Sequence, residues 1–202
     1  MKKRLFCFLA VLLILVSIFG TTVSAASTYK VVRGDTLWKI SVRYQIGLDE
    51  IIAANPQIKN PDLIYPDQII NIPSQDTTIT SYEQQVINLV NNIRTQNGLS
   101  KFKANWELSR VARYKSQDMH DKNYFSHTSP TYGSPFDMMR AFGISYRTAG
   151  ENIAKGYTTP QAVVNGWMNS SGHRANILNP AFTQIGVGYV SSGNYWTQMF
   201  IG

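Results

Sequence analysis

Three polar islands in otherwise apolar surroundings hold the side chains of this 202-residue chain best suited to chemistry. The first is Tyr124-Phe125-Ser126-His127 and the second Gly150-Glu151-Asn152-Ile153-Ala154. The third runs from Trp167 to Ile177, with Ser170-Ser171-Gly172-His173-Arg174 at its centre. Imidazoles with one or two carboxylates can hold a divalent metal such as Zn²⁺ and leave a position open for water. A carboxylate beside an imidazole can instead do general acid–base work. The same groups can also serve only as a hydrogen-bonded cluster that ties loops together. His120, near a helix end upstream of His127, reads as a surface histidine that a helix C-terminus favours. Arg174 is read as a partner for Glu151 or for an anion, and Asn152 as a ligand for loop backbone.

Other chemistry is excluded. Residues 1–25 read as a secretory signal peptide, with Lys2-Lys3-Arg4 as its basic start, Leu5–Phe19 as its apolar run and Val23-Ser24-Ala25 at the cleavage site. The apolar run is short for a membrane span of about 20 residues. The only cysteine, Cys7, lies within it, so the mature chain has no disulfide and no thiol nucleophile. No His-Glu-x-x-His or Gly-x-Ser-x-Gly motif is present. Without Lys2, Lys3 and Arg4 the formal charge of +7 falls to +4. Arginine and lysine are not interleaved with aromatics, so no nucleic-acid partner is expected, and the mild basic excess suits an anionic cell envelope.

Two modules must position these groups. In residues 29–73, Tyr29–Val32 alternates like a strand and Gly34-Asp35-Thr36 turns the chain. Leu37, Ile40, Ser41 and Tyr44 recur at helical spacing, a second helix covers Asp49–Asn55, and Ile69–Pro73 closes the module as a strand. Residues 74–81 are polar and lack periodicity, as a linker does. Thr80-x-x-Glu83 and Ser81-x-x-Gln84 are capping-box candidates for the next helix, which ends at Asn97-Gly98. Further helices open at Asn105, Ser134-Pro135 and Thr159-Pro160. Strand signals are Ile153-Ala154 after a turn at Glu151, then Ile185–Val190 and Tyr195–Ile201 around a hairpin loop. Helices first and a hairpin last give an α+β class.

Residues 29–73 resemble a LysM domain, on Val31-Val32-Arg33-Gly34-Asp35-Thr36-Leu37-Trp38-Lys39-Ile40-Ser41, Asn55-Pro56 and Ile64-Tyr65-Pro66-Asp67-Gln68. The resemblance implies a βααβ fold that binds N-acetylglucosamine-containing glycan such as peptidoglycan. The implied glycan-binding residues are Gly34, Asp35, Thr36, Leu37, Asn60, Pro61, Leu63, Ile64 and Tyr65. Residues 82–202 resemble the CAP (SCP-like) superfamily in a cysteine-free bacterial form. The resemblance rests on Tyr124-Phe125-Ser126-His127, Gly150-Glu151-Asn152-Ile153-Ala154, Trp167–Leu178 and Ile185-Gly186-Val187-Gly188. It implies an α-β-α sandwich with a cleft of two histidines and two acids: His127, Glu151 and His173 by motif, and Asp137 as the fourth. Asp137 stands three residues after Ser134, where it can equally complete a helix cap. The expected protein is secreted and associated with the cell wall or spore envelope. Its LysM module holds glycan, and its CAP cleft takes a metal, a ligand or a protein or lipid partner. The alternative is a hydrolase of wall peptide or glycan, with Glu151, His127 and His173 as catalytic candidates.

Overall fold

The computed structural model describes residues 27–74 and 76–202, so the signal-peptide reading and Cys7 lie outside the described residues. The first module pairs β1 (Ser27–Lys30) with β2 (Ile69–Ile72) antiparallel, around α1 (Leu37–Tyr44) and α2 (Leu48–Ala53). Thr36 caps α1 by accepting from the Lys39 N–H. Leu37, Ile40, Ile51, Ile70 and Ile72 close a small core of their own. Asn55 is buried and ties the module shut: its amide donates to Ile51 O and Asn71 O, and its carbonyl accepts from the Asn71 N–H.

The second module opens with α3 (Thr77–Gln96), capped by Asp76. Residues 77–81, expected in the linker, are therefore the first turns of this helix. Glu83 does not complete a capping box. It lies buried in a two-pronged pair with Arg113 at 2.6–2.9 Å and accepts from the Tyr189 N–H at 3.1 Å. Burial raises the Glu83 pKa, and Arg113 opposes that shift. The chain continues as β3 (Lys103–Ala104), α4 (Trp106–Asp121), α5 (Pro135–Ala141), β4 (Ala149–Lys155), α6 (Pro160–Asn169), α7 (Ser171–Ile177), β5 (Gln184–Val190) and β6 (Tyr195–Ile201). Asn105, Ser134 and Thr159 cap α4, α5 and α6 with their side chains. Glu151 lies inside β4 rather than at a turn, and α7 is a helix that the sequence pattern did not announce.

The sheet order is β3-β5-β6-β4, with β3 parallel to β5 and the other pairs antiparallel, so β4 is an edge. Alternation along β6 sends Trp196 and Phe200 toward α3, α6 and α7, and Met199 and Ile201 toward α4 and α5. The result is the expected α-β-α sandwich. Among the described residues no helix is long and apolar enough to cross a membrane.

Helix α4 lies directly on β5 because Gly186 and Gly188 face it. A Cβ at Gly186 would come within 2.3 Å of the Leu108 carbonyl carbon, and one at Gly188 within 2.1 Å of Arg113 N. The obstructing atoms are backbone and cannot rotate away. Gly188→Ala is expected to cost about 1–3 kcal/mol or more. In urea unfolding it should lower the midpoint and leave the slope unchanged.

Candidate functional site

The loops of the first module that the sequence assigned to glycan both leave the Lys30–Ile69 end of the small sheet. Gly34 has φ +92°, which lets the backbone turn where a side chain would strain. Leu63 and Tyr65 are exposed by 50% and 60%, the form an apolar sugar contact requires. Asn60 accepts from the Asp62 N–H at 3.1 Å and so shapes its own turn. Pro61 and Ile64 are half-buried, and Ile64 packs on the module's core. Three expected residues do something else with their side chains. The Thr36 hydroxyl caps α1. Leu37 is 2% exposed and belongs to the core, so only its backbone can reach a ligand. The Asp35 carboxylate turns inward, accepting from the Val32 N–H at 3.0 Å and the Tyr29 hydroxyl at 2.7 Å. Those two bonds hold its pKa below the usual carboxylate value.

The polar site of the second module centres on Glu151, on the edge strand β4. Its side chain is 1% exposed, and Oε1 lies 2.7 Å from His127 Nδ1. His127, on the loop between α4 and α5, is 51% exposed. Glu151 Oε2 is buried and accepts no hydrogen bond from any described residue. His173 lies on α7, whose backbone is tied to the strand. Asn152, the neighbour of Glu151, donates to His173 O at 3.1 Å. Asn176 donates both to Glu151 O at 3.2 Å and to Asn152 Oδ1 at 2.8 Å. Gly150 makes room here, since a Cβ would sit 2.9 Å from the Phe182 ring.

Two residues missed by the sequence reading hold the His127 loop. Lys115 is fully buried, and its Nζ donates to Ser126 O and His127 O at 2.8 Å and to the Tyr124 hydroxyl at 3.2 Å. Asp118 accepts from the hydroxyls of Tyr124, Ser129 and Thr131 at 2.5–2.7 Å. Burial lowers the Lys115 pKa, while the charges of Glu151 and Asp118 oppose it. For Asp118, burial pushes upward, but the three hydroxyls and Lys115 outweigh it and leave the carboxyl below its usual range. Helical spacing carried the signal: Lys115 stands between Val111 and Met119 on the stripe that faces the core.

The structure shows Asp137 in the helix cap. Its side chain is 54% exposed and completes a capping box with Ser134, and Arg140 binds its other oxygen at 2.5 Å. The cap satisfies helix N–H groups that would otherwise lack acceptors. Arg174 donates to Met168 O at 3.2 Å rather than pairing with Glu151. Among the described residues no group of three or more His, Cys, Asp or Glu is placed to hold a metal ion. The expected set of His127, Asp137, Glu151 and His173 does not fit a metal as it stands. What the arrangement offers is a buried carboxylate with one oxygen on an exposed imidazole and one uncommitted.

Burial lowers the His173 pKa from its ordinary 6.5, and the charge of His127 adds to the effect. As pH falls below about 6.5, the unfolded chain binds a proton that folded His173 resists, so this group withdraws stability toward acid. Removing the second cause tests the pairing. In an NMR titration of ring protons, His127→Ala is expected to move the His173 pKa upward, yet leave it below the unfolded value. Lys115→Met leaves two carbonyls and a hydroxyl without their buried donor. It is expected to cost about 3–5 kcal/mol and to speed amide exchange over residues 124–129.

A family model described as the cysteine-rich secretory protein family (CAP) matches residues 87–200, and the LysM domain model matches residues 29–73. The chain is 63% identical over 129 residues to the protein YkwD of Bacillus subtilis (strain 168), covering 64% of this chain and 50% of YkwD. It thus spans half the length of that relative. Over 46 residues it is 54% identical to the secreted LysM effector ECP6 of Passalora fulva, covering 23% of this chain and 20% of ECP6. Among solved structures, an extracellular protein containing an SCP domain from Bacillus anthracis str. Ames superposes with TM-score 0.59 at 36% identity. That match covers 67% of this chain and 47% of the other. With the sandwich and the family match in agreement, the chain belongs to the cysteine-rich secretory protein (CAP) family and carries a LysM domain ahead of its CAP domain.

Proposed function

We propose that this is an exported protein of the cell wall or spore envelope. Its LysM domain holds N-acetylglucosamine-containing glycan, and its CAP cleft captures a ligand through Glu151. The observation that carries the reading is Glu151 Oε2, a buried acceptor without a donor. A buried carboxylate oxygen left unpaired costs about 1–3 kcal/mol or more. A ligand presenting an N–H, O–H or cationic group recovers that energy, and the exposed imidazole of His127 stands at the same point of entry. On the LysM side, Leu63 and Tyr65 supply exposed apolar surface for a sugar face, and the turn at Gly34 brings backbone groups close to an acetamido group. Glycan binding sets the location, and the cleft then meets whatever partner lies at the wall. No metal is needed for this reading.

The experiment uses purified peptidoglycan and the mature protein. Native protein is expected to sediment with the wall. Leu63→Ala with Tyr65→Ala should weaken binding by about tenfold or more, as expected when a sugar face is deprived of its apolar cover. Equal sedimentation of native and double variant would remove the assigned glycan face. The soluble fraction is analysed for released fragments. None is expected from a capturing cleft. Fragments made by native protein and absent with Glu151→Gln would replace capture with wall hydrolysis, in which the Glu151–His127 contact acts as an acid–base pair.

A further inference from the structure

The end of α4 and the β5–β6 hairpin bring together three side chains that play no part in the cleft. His120 Nε2 lies 2.8 Å from Ser192 Oγ, and His120 Nδ1 lies 2.7 Å from Asp121 Oδ1. A hydroxyl on one ring nitrogen and a carboxylate on the other is the order that acyl transfer by a serine requires. With Nδ1–H donated to Asp121, Nε2 keeps its lone pair for the hydroxyl proton. The members are held in place. Gln117 donates to Asp121 Oδ1 at 2.7 Å, and the imidazole stands edge-on to the buried Tyr195 ring, 6.0 Å between centroids at 88°.

The hairpin loop adds two further features. Gly193 and Asn194 take φ of +75° and +52°, a left-handed pair that suits glycine and asparagine. Their turn leaves the backbone N–H groups of Ser192 and Gly193 uncommitted among the described residues, and such paired donors can stabilise an oxyanion. Beside the loop is a cavity of about 530 Å³ between the two domains. His120 and Ser192 line it together with Ile46, Ile79, Tyr189 and Val190. Its volume is that of a small-molecule site, and its exposed lining surface is mainly apolar, although Glu50, Asp76, Arg110 and Arg113 also reach it.

We propose that Ser192, His120 and Asp121 form an esterase site, separate from the Glu151 cleft, for carboxylic esters whose apolar acyl group fills this cavity. Ser192 Oγ bonds to the carbonyl carbon while His120 Nε2 takes the hydroxyl proton. The C–O bond to the alcohol then breaks, and His120 passes that proton to the departing oxygen. A water molecule, deprotonated by His120, attacks the acyl-serine. The acid leaves and Ser192 recovers its proton. Asp121 holds the ring orientation and offsets the charge of the imidazolium.

The test uses the mature full chain, p-nitrophenyl butyrate as substrate, and an alkyl fluorophosphonate as covalent label. Peptide mass mapping is expected to place the label on Ser192. Ser192→Ala and His120→Gln should each reduce turnover on the order of 100-fold, whereas Ser191→Ala, in the same loop, keeps the native rate. No label on Ser192, or equal turnover by Ser192→Ala and native protein, would overturn the proposal. These side chains are half-buried or exposed, so the variants test chemistry rather than folding.

Discussion

The closeness of α4 to β5 governs most of what the CAP domain does. Two glycines in register on one face of β5 remove the side chains that would hold the helix away. Short side chains on α4 then reach the strands directly. Ser109 accepts from the Val187 N–H, and Ser116 bonds Gly188 O and the Thr197 hydroxyl. Arg113 on the same helix meets Glu83 and joins α3 to the pair. A helix standing off by even one methyl layer would lose these short bonds. It would also withdraw Lys115 from the carbonyls it holds. The position of His127 thus descends from glycine spacing in a strand that never touches it.

Both histidine-bearing segments are held by buried cations, one from each helical layer. Lys115 on α4 donates to the carbonyls of Ser126 and His127. Arg94 on α3, 2% exposed, donates to Ile177 O at 2.7 Å and Asn179 O at 3.0 Å, and so fixes the end of α7. Burying a charge is costly unless it is paired and hydrogen-bonded. Here the return is order in segments that lack ladder hydrogen bonds: residues 124–134 contain only the isolated Ser129–Gly133 bridge. Charge-assisted bonds to carbonyls are stronger than neutral ones, which makes them suited to loops without other support.

What the sequence revealed and what it concealed follow one physical divide. Caps at Thr36, Asn105, Ser134 and Thr159 are local interactions, and each helix starts where its cap residue stands. Helix α7 is different. It has a glycine, one buried apolar residue and no side-chain cap, so its order comes from tertiary contacts: Asn152 and Arg94 donate to its backbone, and its own Asn176 donates to β4. Strand β4 is hidden for a related reason. Polar Glu151 and Asn152 face opposite sides, which breaks the alternation that betrays a strand. The polar start of α3 resembles linker because its first turn is capped by Asp76 and bears few apolar residues. Asp137 is legible as both cap and ligand, and only packing separates the two. Of the site, the motifs located the Glu151–His127 pair. Lys115 and Asp118 stay concealed because an apolar stripe is normally read for its apolar members.

The two imidazole–carboxylate contacts of this domain differ in which partner the fold immobilises. At His120 the acid is exposed and adjacent in sequence, and the imidazole is steadied by Tyr195 and Gln117. At His127 the roles reverse. Glu151 is locked in a strand at 1% exposure, while the imidazole is half in solvent. An exposed ring turns easily, but turning would strip a buried carboxylate of its one described partner. That cost favours the ring orientation in which Nδ1 meets Oε1. Since Oε2 is buried and without a donor, the capture proposed above would let a ligand with two donors, or a compact cation, satisfy both oxygens, and a ligand with acceptors alone neither. On that proposal the site selects by hydrogen-bond polarity before shape enters.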